Sequence, residues 1–144
     1  YELTHLPKPE LKEVDAKGLL LHIERLYSDK NIVVQCTQGL KLFCDEKQII
    51  QTRVNIVKNA IEAPATAITV TGSAPEGHPR ITISDNGPGI PHDKQEEIFL
   101  PFYTSKSTGS GIGLALSRQI MSLHKGTLTC SSNEFGGAVF ILQF

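Results

Sequence analysis

Strand-like segments come in pairs along this chain, each pair separated from the next by one amphipathic helix, and that grouping limits the folds open to it. Asp15 reads as the N-cap of a helix running to about Tyr27, with Leu19, Leu20, Ile23 and Leu26 on one stripe. Ile32 to Cys36 and Leu40 to Cys44 follow as two strands with a turn at Gly39. Asp45 caps a long helix that Pro64 must end. Thr66 to Ser73 and Arg80 to Asp85 alternate apolar and polar residues on either side of a turn at Ala74 to Pro79, the pattern of a hairpin. A short helix is expected near Asp93 to Phe99. Ile112 to His124 then forms an amphipathic helix with Ile112, Leu116, Ile120 and Leu123 on one side. Gly126 to Ser131 and Ala138 to Phe144 close the chain as strands around Gly136 and Gly137. This order predicts an α/β fold, a two-layer sandwich of a mixed, mostly antiparallel sheet packed on three helices. It excludes the strict strand–helix alternation of a Rossmann domain.

At 144 residues the chain has one domain's worth of core and needs no disulfide or metal staple. Residues 1–14, with the polar, extended Leu6-Pro7-Lys8-Pro9-Glu10, read as a connector, and residues 15–144 as the folded domain. Fourteen basic against fifteen acidic residues argue against a nucleic-acid-binding surface. No apolar run approaches the roughly 20 residues that span a bilayer, and no signal peptide opens the chain, so a cytoplasmic domain is expected. The start at Tyr1 rather than Met reads as a piece of a longer protein, itself open to membrane tethering. Cys36, Cys44 and Cys130 form no CxxC pair and read as reduced thiols packed as small apolar residues.

Three segments carry candidate chemistry. In the helix from Asp45 to Ala63, residues Ile49, Ile56, Val57, Ala60 and Ala63 share one side, while Asn55, Asn59 and Glu62 fall on the polar side with Gln48 and Gln51. A solvated face explains any one of them. Two asparagines four apart are harder to explain so, because Asn is a poor helix former and its side-chain oxygen is a neutral hard ligand suited to magnesium. Arg53 falls in the middle of the apolar side, so it either snorkels to an edge or the helix packs differently. Asp85-Asn86-Gly87-Pro88-Gly89-Ile90 ends a strand with a carboxylate followed by glycines, which is either a simple turn or a place where the backbone approaches a ligand closely. Thr108-Gly109-Ser110-Gly111-Ile112-Gly113-Leu114 opens the last helix, where free amides and the helix dipole favour an anion. It is not a P-loop, since no GK[ST] follows the glycines.

Taken together, these segments resemble the catalytic and ATP-binding domain of bacterial sensor histidine kinases. Asn55 to Ala63 looks like their N box, Asp85 to Gly89 like the first glycine box and Gly109 to Gly113 like the second. Ile98 to Lys106 matches the intervening F box, and Gly136-Gly137 with Phe140 resembles the closing Gly-Gly-x-x-Phe strand. The resemblance spans roughly Leu40 to Phe144. It implies the Bergerat-type ATP-sandwich fold shared with gyrase, MutL and heat-shock-chaperone ATPases. The short lid, Thr104 to Ser110, is similar to that of the nitrogen-regulation branch.

The resemblance implies ATP and Mg²⁺ as cofactors. By it, Asn59 coordinates magnesium, Asn55 lines the phosphate end, and Asp85 accepts from the adenine amino group. Gly87 and Gly89 would let the chain pass close to the nucleotide beside Ile90. Thr108, Gly109, Ser110, Gly111, Ile112, Gly113 and Leu114 would surround the phosphates, and Lys106 would reach in from the lid. Asn55 stands where the ATPase relatives have a glutamate base, and an amide cannot act as a general base. The implied activity is transfer of the γ-phosphoryl group to a histidine on a separate helical domain. A nucleotide-sensing module without transfer, or an ATPase of the same superfamily, are the alternatives. None of the five histidines has the neighbours of the family's phosphoacceptor motif, so the acceptor is expected in a dimerisation domain N-terminal to this chain. That domain and a response-regulator receiver are the expected partners. The full-length protein would dimerise through the missing domain, leaving this piece monomeric. Lys125 replaces the first glycine of the usual His-Gly-Gly, and Ala138 a frequent threonine near the adenine.

Overall fold

A computed structural model describes residues 6–26, 31–62, 65–101 and 113–144, with the side chains of 23–26 outside the description. Its order is β1 (Lys12–Asp15), α1 (Ala16–Leu26), β2 (Asn31–Cys36), β3 (Lys41–Cys44), α2 (Glu46–Glu62), β4 (Ala67–Ser73), β5 (Arg80–Asp85), α3 (Gly113–Leu123), β6 (Thr127–Ser132) and β7 (Ala138–Gln143). Five strands form one sheet in the order β2-β4-β5-β7-β6. Only the β2–β4 pair is parallel; the other three ladders are antiparallel.

Alternation decides which face is covered. Ile68 and Val70 of β4, Ile81 and Ile83 of β5, and Ala138, Phe140 and Leu142 of β7 are buried on one side of the sheet. Residues between them, such as Thr69, Thr82 and Val139, are half-exposed. The three helices lie on the buried side, with α1 against β2 and β4, α2 against α3 and β5, and α3 against β6. This is the two-layer sandwich expected from the sequence.

Three local expectations change. Lys12–Asp15, inside the stretch read as a connector, is a strand paired antiparallel with β3, Val14 facing Leu42. Its single apolar residue gave no alternation to detect. The strands on either side of Gly39 do not share a sheet: β2 joins the five-stranded sheet and β3 pairs with β1. One-sided burial explains β3, because Leu42 and Cys44 are buried whereas Lys41 and Phe43 face outward. The helix expected at 93–99 is two separate 3-10 turns, His92–Lys94 and Glu97–Phe99. Leu100 ends the second in an extended conformation, as a residue before proline prefers.

Arg53 stays where the helical projection puts it. It is fully buried, and its Nη1 donates to the main-chain carbonyl of Leu19, so the guanidinium ties α2 to α1 rather than snorkelling to the surface. The three thiols are free, Cys44 buried and Cys36 and Cys130 half-buried. Burial pushes the Cys44 thiol up to about 11, with Glu46 and Asp45 adding to it.

Candidate functional site

The site begins at the end of β5. Asp85 is buried at the last position of the strand, and its Oδ1 accepts from the main-chain N–H of Gly87 at 2.8 Å and of Ala138 at 3.2 Å. Among the described residues no hydrogen bond reaches its Oδ2. A buried carboxylate with one oxygen committed to the backbone presents the other to a ligand's donor. Asn86 anchors the following loop: its Oδ1 accepts from the N–H groups of Thr66 and Ala67, both at 2.9 Å, and its Nδ2 donates to Thr66 Oγ1 at 2.8 Å.

Glycine at 89 has a reason inside the protein. Gly89 sits at φ +76°, and a Cβ there would lie 2.1 Å from the carbonyl oxygen of Gly136. Gly137 is as confined, since its Cβ would lie 2.0 Å from the carbonyl oxygen of Asp85. The Gly136–Gly137 turn therefore packs directly behind the loop that follows Asp85. Ile90 is half-buried against the core, and its carbonyl accepts from Gln95 Nε2 at 3.1 Å.

The second cluster sits on α2, which packs against β5 and α3. Asn55 Nδ2 donates to the carbonyl of Gly113 and to Ser117 Oγ, each at 3.2 Å, and Ser117 Oγ donates to the Gly113 carbonyl at 2.8 Å. A main-chain carbonyl only accepts, so the amide orientation of Asn55 is settled and both of its N–H groups are spent on α3. Its Oδ1 is what remains to offer a ligand, and that atom suits a cation or water rather than a phosphate oxygen. Asn59, one turn further along α2, is half-buried. Gly113 is the first residue of α3, and a Cβ there would meet Asn55 only at ordinary contact, 3.6 Å. Leu114 beside it is half-buried against the core. Lys106, Thr108, Gly109, Ser110, Gly111 and Ile112 lie outside the described residues.

Three features had no clear signal in the sequence. Ser117, a small polar residue on the buried side of α3, completes the Asn55 link. Arg118 holds the segment before residue 102: its Nη1 and Nη2 each lie 3.0 Å from the Glu96 carboxylate, its Nε donates to the Leu128 carbonyl at 3.2 Å, and the guanidinium lies 4.2 Å from the ring centre of Phe99. The hydrogen bonds and charge of Arg118 keep the Glu96 carboxyl below its usual range. Phe99 meets Phe140 edge-to-face at 6.3 Å. Cys130 is the third: burial, then the Asp85 carboxylate, push its thiol up to about 12. A cavity of about 490 Å³ between α3 and β6, beside Arg118 and Thr127, contains none of the candidate residues. No cluster of three His, Cys, Asp or Glu side chains fit to hold a metal occurs among the described residues.

A one-faced α/β sandwich with a strand-end carboxylate, a glycine turn behind it and a mid-helix carboxamide of α2 bonded to the first residue of α3 defines the ATP-sandwich class of nucleotide-binding domain. The pattern of the histidine kinase-, DNA gyrase B- and HSP90-like ATPases matches residues 44–144, and the chain belongs to that family. It is 34% identical to sporulation kinase C of Bacillus subtilis over 95% of this chain and 32% of that protein. Similarity to the sensor histidine kinase ZraS of Escherichia coli K12 is 33% over 98% of this chain and 33% of that protein. The chain thus spans about a third of the length of these relatives. The catalytic domain of histidine kinase ThkA superposes with a TM-score of 0.83 at 28% identity, covering 94% of this chain and 95% of that one.

Proposed function

We propose that this chain is the ATP-binding catalytic domain of a two-component sensor histidine kinase, transferring the γ-phosphoryl group of ATP to a histidine outside it. In that reading Asp85 Oδ2 accepts from the adenine amino group, Gly87 and Ile90 flank the base, and Gly113 with Leu114 opens the helix that faces the phosphates. Lys106 and residues 108–112 are assigned to the phosphates by the family pattern alone. Magnesium fits the donor set: Asn59 would hold it, the Oδ1 of Asn55 is also available, and a small hard cation prefers such neutral oxygens with phosphate and water. When bound it would neutralise charge on the phosphates.

The observation that carries transfer over hydrolysis is Asn55. Its amide has no basic atom to take a proton from water, and its N–H groups are held by Gly113 and Ser117. What remains for the protein is positioning and charge stabilisation, which is most of what phosphoryl transfer requires. The bond from the γ-phosphorus to the ADP oxygen breaks as a neutral imidazole nitrogen of the acceptor takes up the phosphoryl group.

The expected partners are the protein's own dimerisation and phosphoacceptor domain, which would make the full-length protein a dimer while this piece stays monomeric, and a response-regulator receiver. The latter is supported by a structure of ThkA in complex with its response regulator TrrA, 28% identical over 93% of this chain. No helix among the described residues is long and apolar enough to cross a membrane; a cytoplasmic location remains part of the proposal. Incubation with γ-labelled ATP, with and without the histidine-bearing domain of the same protein, tests the reading. A kinase labels a histidine on that domain and releases little phosphate alone. Rapid phosphate release without acceptor would identify an ATPase, and binding with neither outcome a nucleotide sensor.

A further inference from the structure

Asn133, in the turn between β6 and β7, uses every hydrogen-bonding group of its side chain. Its Oδ1 accepts from the main-chain N–H of Phe135 at 3.0 Å and of Gly137 at 2.9 Å. Its Nδ2 donates to the main-chain carbonyl of Asp85 at 2.9 Å and to Ser84 Oγ at 3.0 Å. Its own N–H donates to the Gly137 carbonyl at 3.0 Å. The carbonyl of Asp85 can only accept, so the amide orientation is settled.

These bonds grip both main-chain segments that orient the Asp85 carboxylate. One is Asp85 itself. The other is the start of β7, where Ala138, next to Gly137, donates to Asp85 Oδ1 at 3.2 Å. A residue needed only to close the turn would use its acceptor alone, as aspartate or serine does. The donor of Asn133 is aimed instead at residues 48 and 49 positions away. The rest of the turn points elsewhere: Glu134 is exposed and Phe135 is 86% exposed.

We propose that Asn133 is a positioning residue for base selection. By fixing Asp85 between its own backbone and Ala138, it decides that Oδ2, in one direction, meets the exocyclic amino group of a purine, and so sets discrimination against purines with a carbonyl there. The inference rests on the assignment of Asp85 to the adenine made above.

The test is calorimetric titration of ATP and GTP into the chain and into Asp85→Asn, Asn133→Ala, Asn133→Asp and the corresponding double variants. Asn133→Ala weakens ATP binding by about five- to tenfold, as for loss of roughly one hydrogen bond's worth of alignment, and changes GTP by less than about twofold. Asn133→Asp keeps the turn's acceptor but sets a carboxylate oxygen against the Asp85 carbonyl in place of the donor, so it weakens ATP binding at least as much and lowers the ATP-to-GTP ratio even if the alanine variant does not fold. In the Asp85→Asn background either change alters the ATP-to-GTP ratio by less than about twofold, because Asn133 acts through Asp85. Equal losses for ATP and GTP, or the same loss in both backgrounds, would overturn the proposal and leave Asn133 a turn former. An Asp85→Asn variant with the wild-type ratio would instead overturn the base-site reading, and the proposal with it.

Discussion

The main-chain N–H of Asp45 donates to Nε2 of His124 at 3.0 Å, joining the start of α2 to the end of α3. His124 Nδ1 lies 2.8 Å from the Ile120 carbonyl, so Nδ1 carries the proton and Nε2 accepts. The Asp45 carboxylate caps α2 through Gln48 N–H at 3.2 Å and takes the connector through Glu10 N–H at 2.9 Å. Gln48 Nε2 adds a bond to the Pro7 carbonyl at 2.9 Å. The chain entering the domain is thereby fastened to the helix that carries Asn55 and Asn59.

A pH dependence follows from Asp45. Burial pushes its carboxyl up, but the N–H groups of Glu10, Gln48 and Lys47 outweigh it and hold the carboxyl below the ordinary 3.8. A carboxyl depressed in the folded state stabilises above its unfolded value, and that contribution is lost as pH falls through the folded one. Asp45→Ala should cost about 1 kcal/mol near neutral pH, the usual worth of a helix cap. Urea unfolding of both forms should show the difference shrinking from about pH 5 toward pH 3. A constant difference across that range would remove the carboxylate from the explanation.

Lys125 occupies a position that favours glycine. Gly126 N–H bonds to the Met121 carbonyl and Lys125 N–H to that of Ser122, both at 2.9 Å, closing α3 with Lys125 at φ +60°. Gly126 is fixed as glycine because a Cβ there would lie 2.2 Å from the Gln143 carbonyl oxygen. Lys125→Gly should therefore raise stability by about 0.5–1 kcal/mol, measured as a shift in urea midpoint at unchanged slope. A loss of stability would mean that the lysine side chain contributes more than the strain.

Gly89 and Gly136 both have positive φ but should respond differently to alanine. Gly136 has open space where a Cβ would go, so Gly136→Ala carries only backbone strain of about 1–2 kcal/mol. Gly89→Ala adds the collision with the Gly136 carbonyl, a further 1–3 kcal/mol or so, and should also weaken ATP binding by shifting the loop after Asp85. Equal destabilisation of the two variants would show that the contact relaxes freely.

The two asparagines of α2 should separate in a magnesium titration. Asn59→Ala removes the magnesium dependence of nucleotide binding. Asn55→Ala keeps more of it and loses about 1 kcal/mol of stability, because its bonds to Gly113 and Ser117 go with it. A normal magnesium response in both variants would contradict these roles.

What could be read from the sequence was what repeats locally. The buried side of α2 at Ile49, Ile56, Val57 and Ala60, and the alternation of β4 and β5, are periodic and stand where the pattern puts them, whereas Gln48, read onto the polar face with Asn55 and Asn59, is buried, and Ala63 lies outside the described residues. Relationships across the fold had no such signal. Asn133 is one polar residue in a turn, distinguished only by partners on β5. His124 and Asp45 are 79 positions apart. The spacing of Gly89 suggested a close approach to ligand, whereas its confinement comes from Gly136, which only the folded turn brings near. Strand β1 owes its existence to β3 as a partner and not to its own four residues.

Direct titration of ATP and GTP into the wild-type chain tests the central claim that the buried carboxylate of Asp85 selects an adenine. ATP should bind at least about tenfold more tightly than GTP, and Asp85→Asn should cost about 1–3 kcal/mol of ATP affinity, as for a charge-assisted hydrogen bond. Equal affinity of the wild-type chain for the two nucleotides would contradict it.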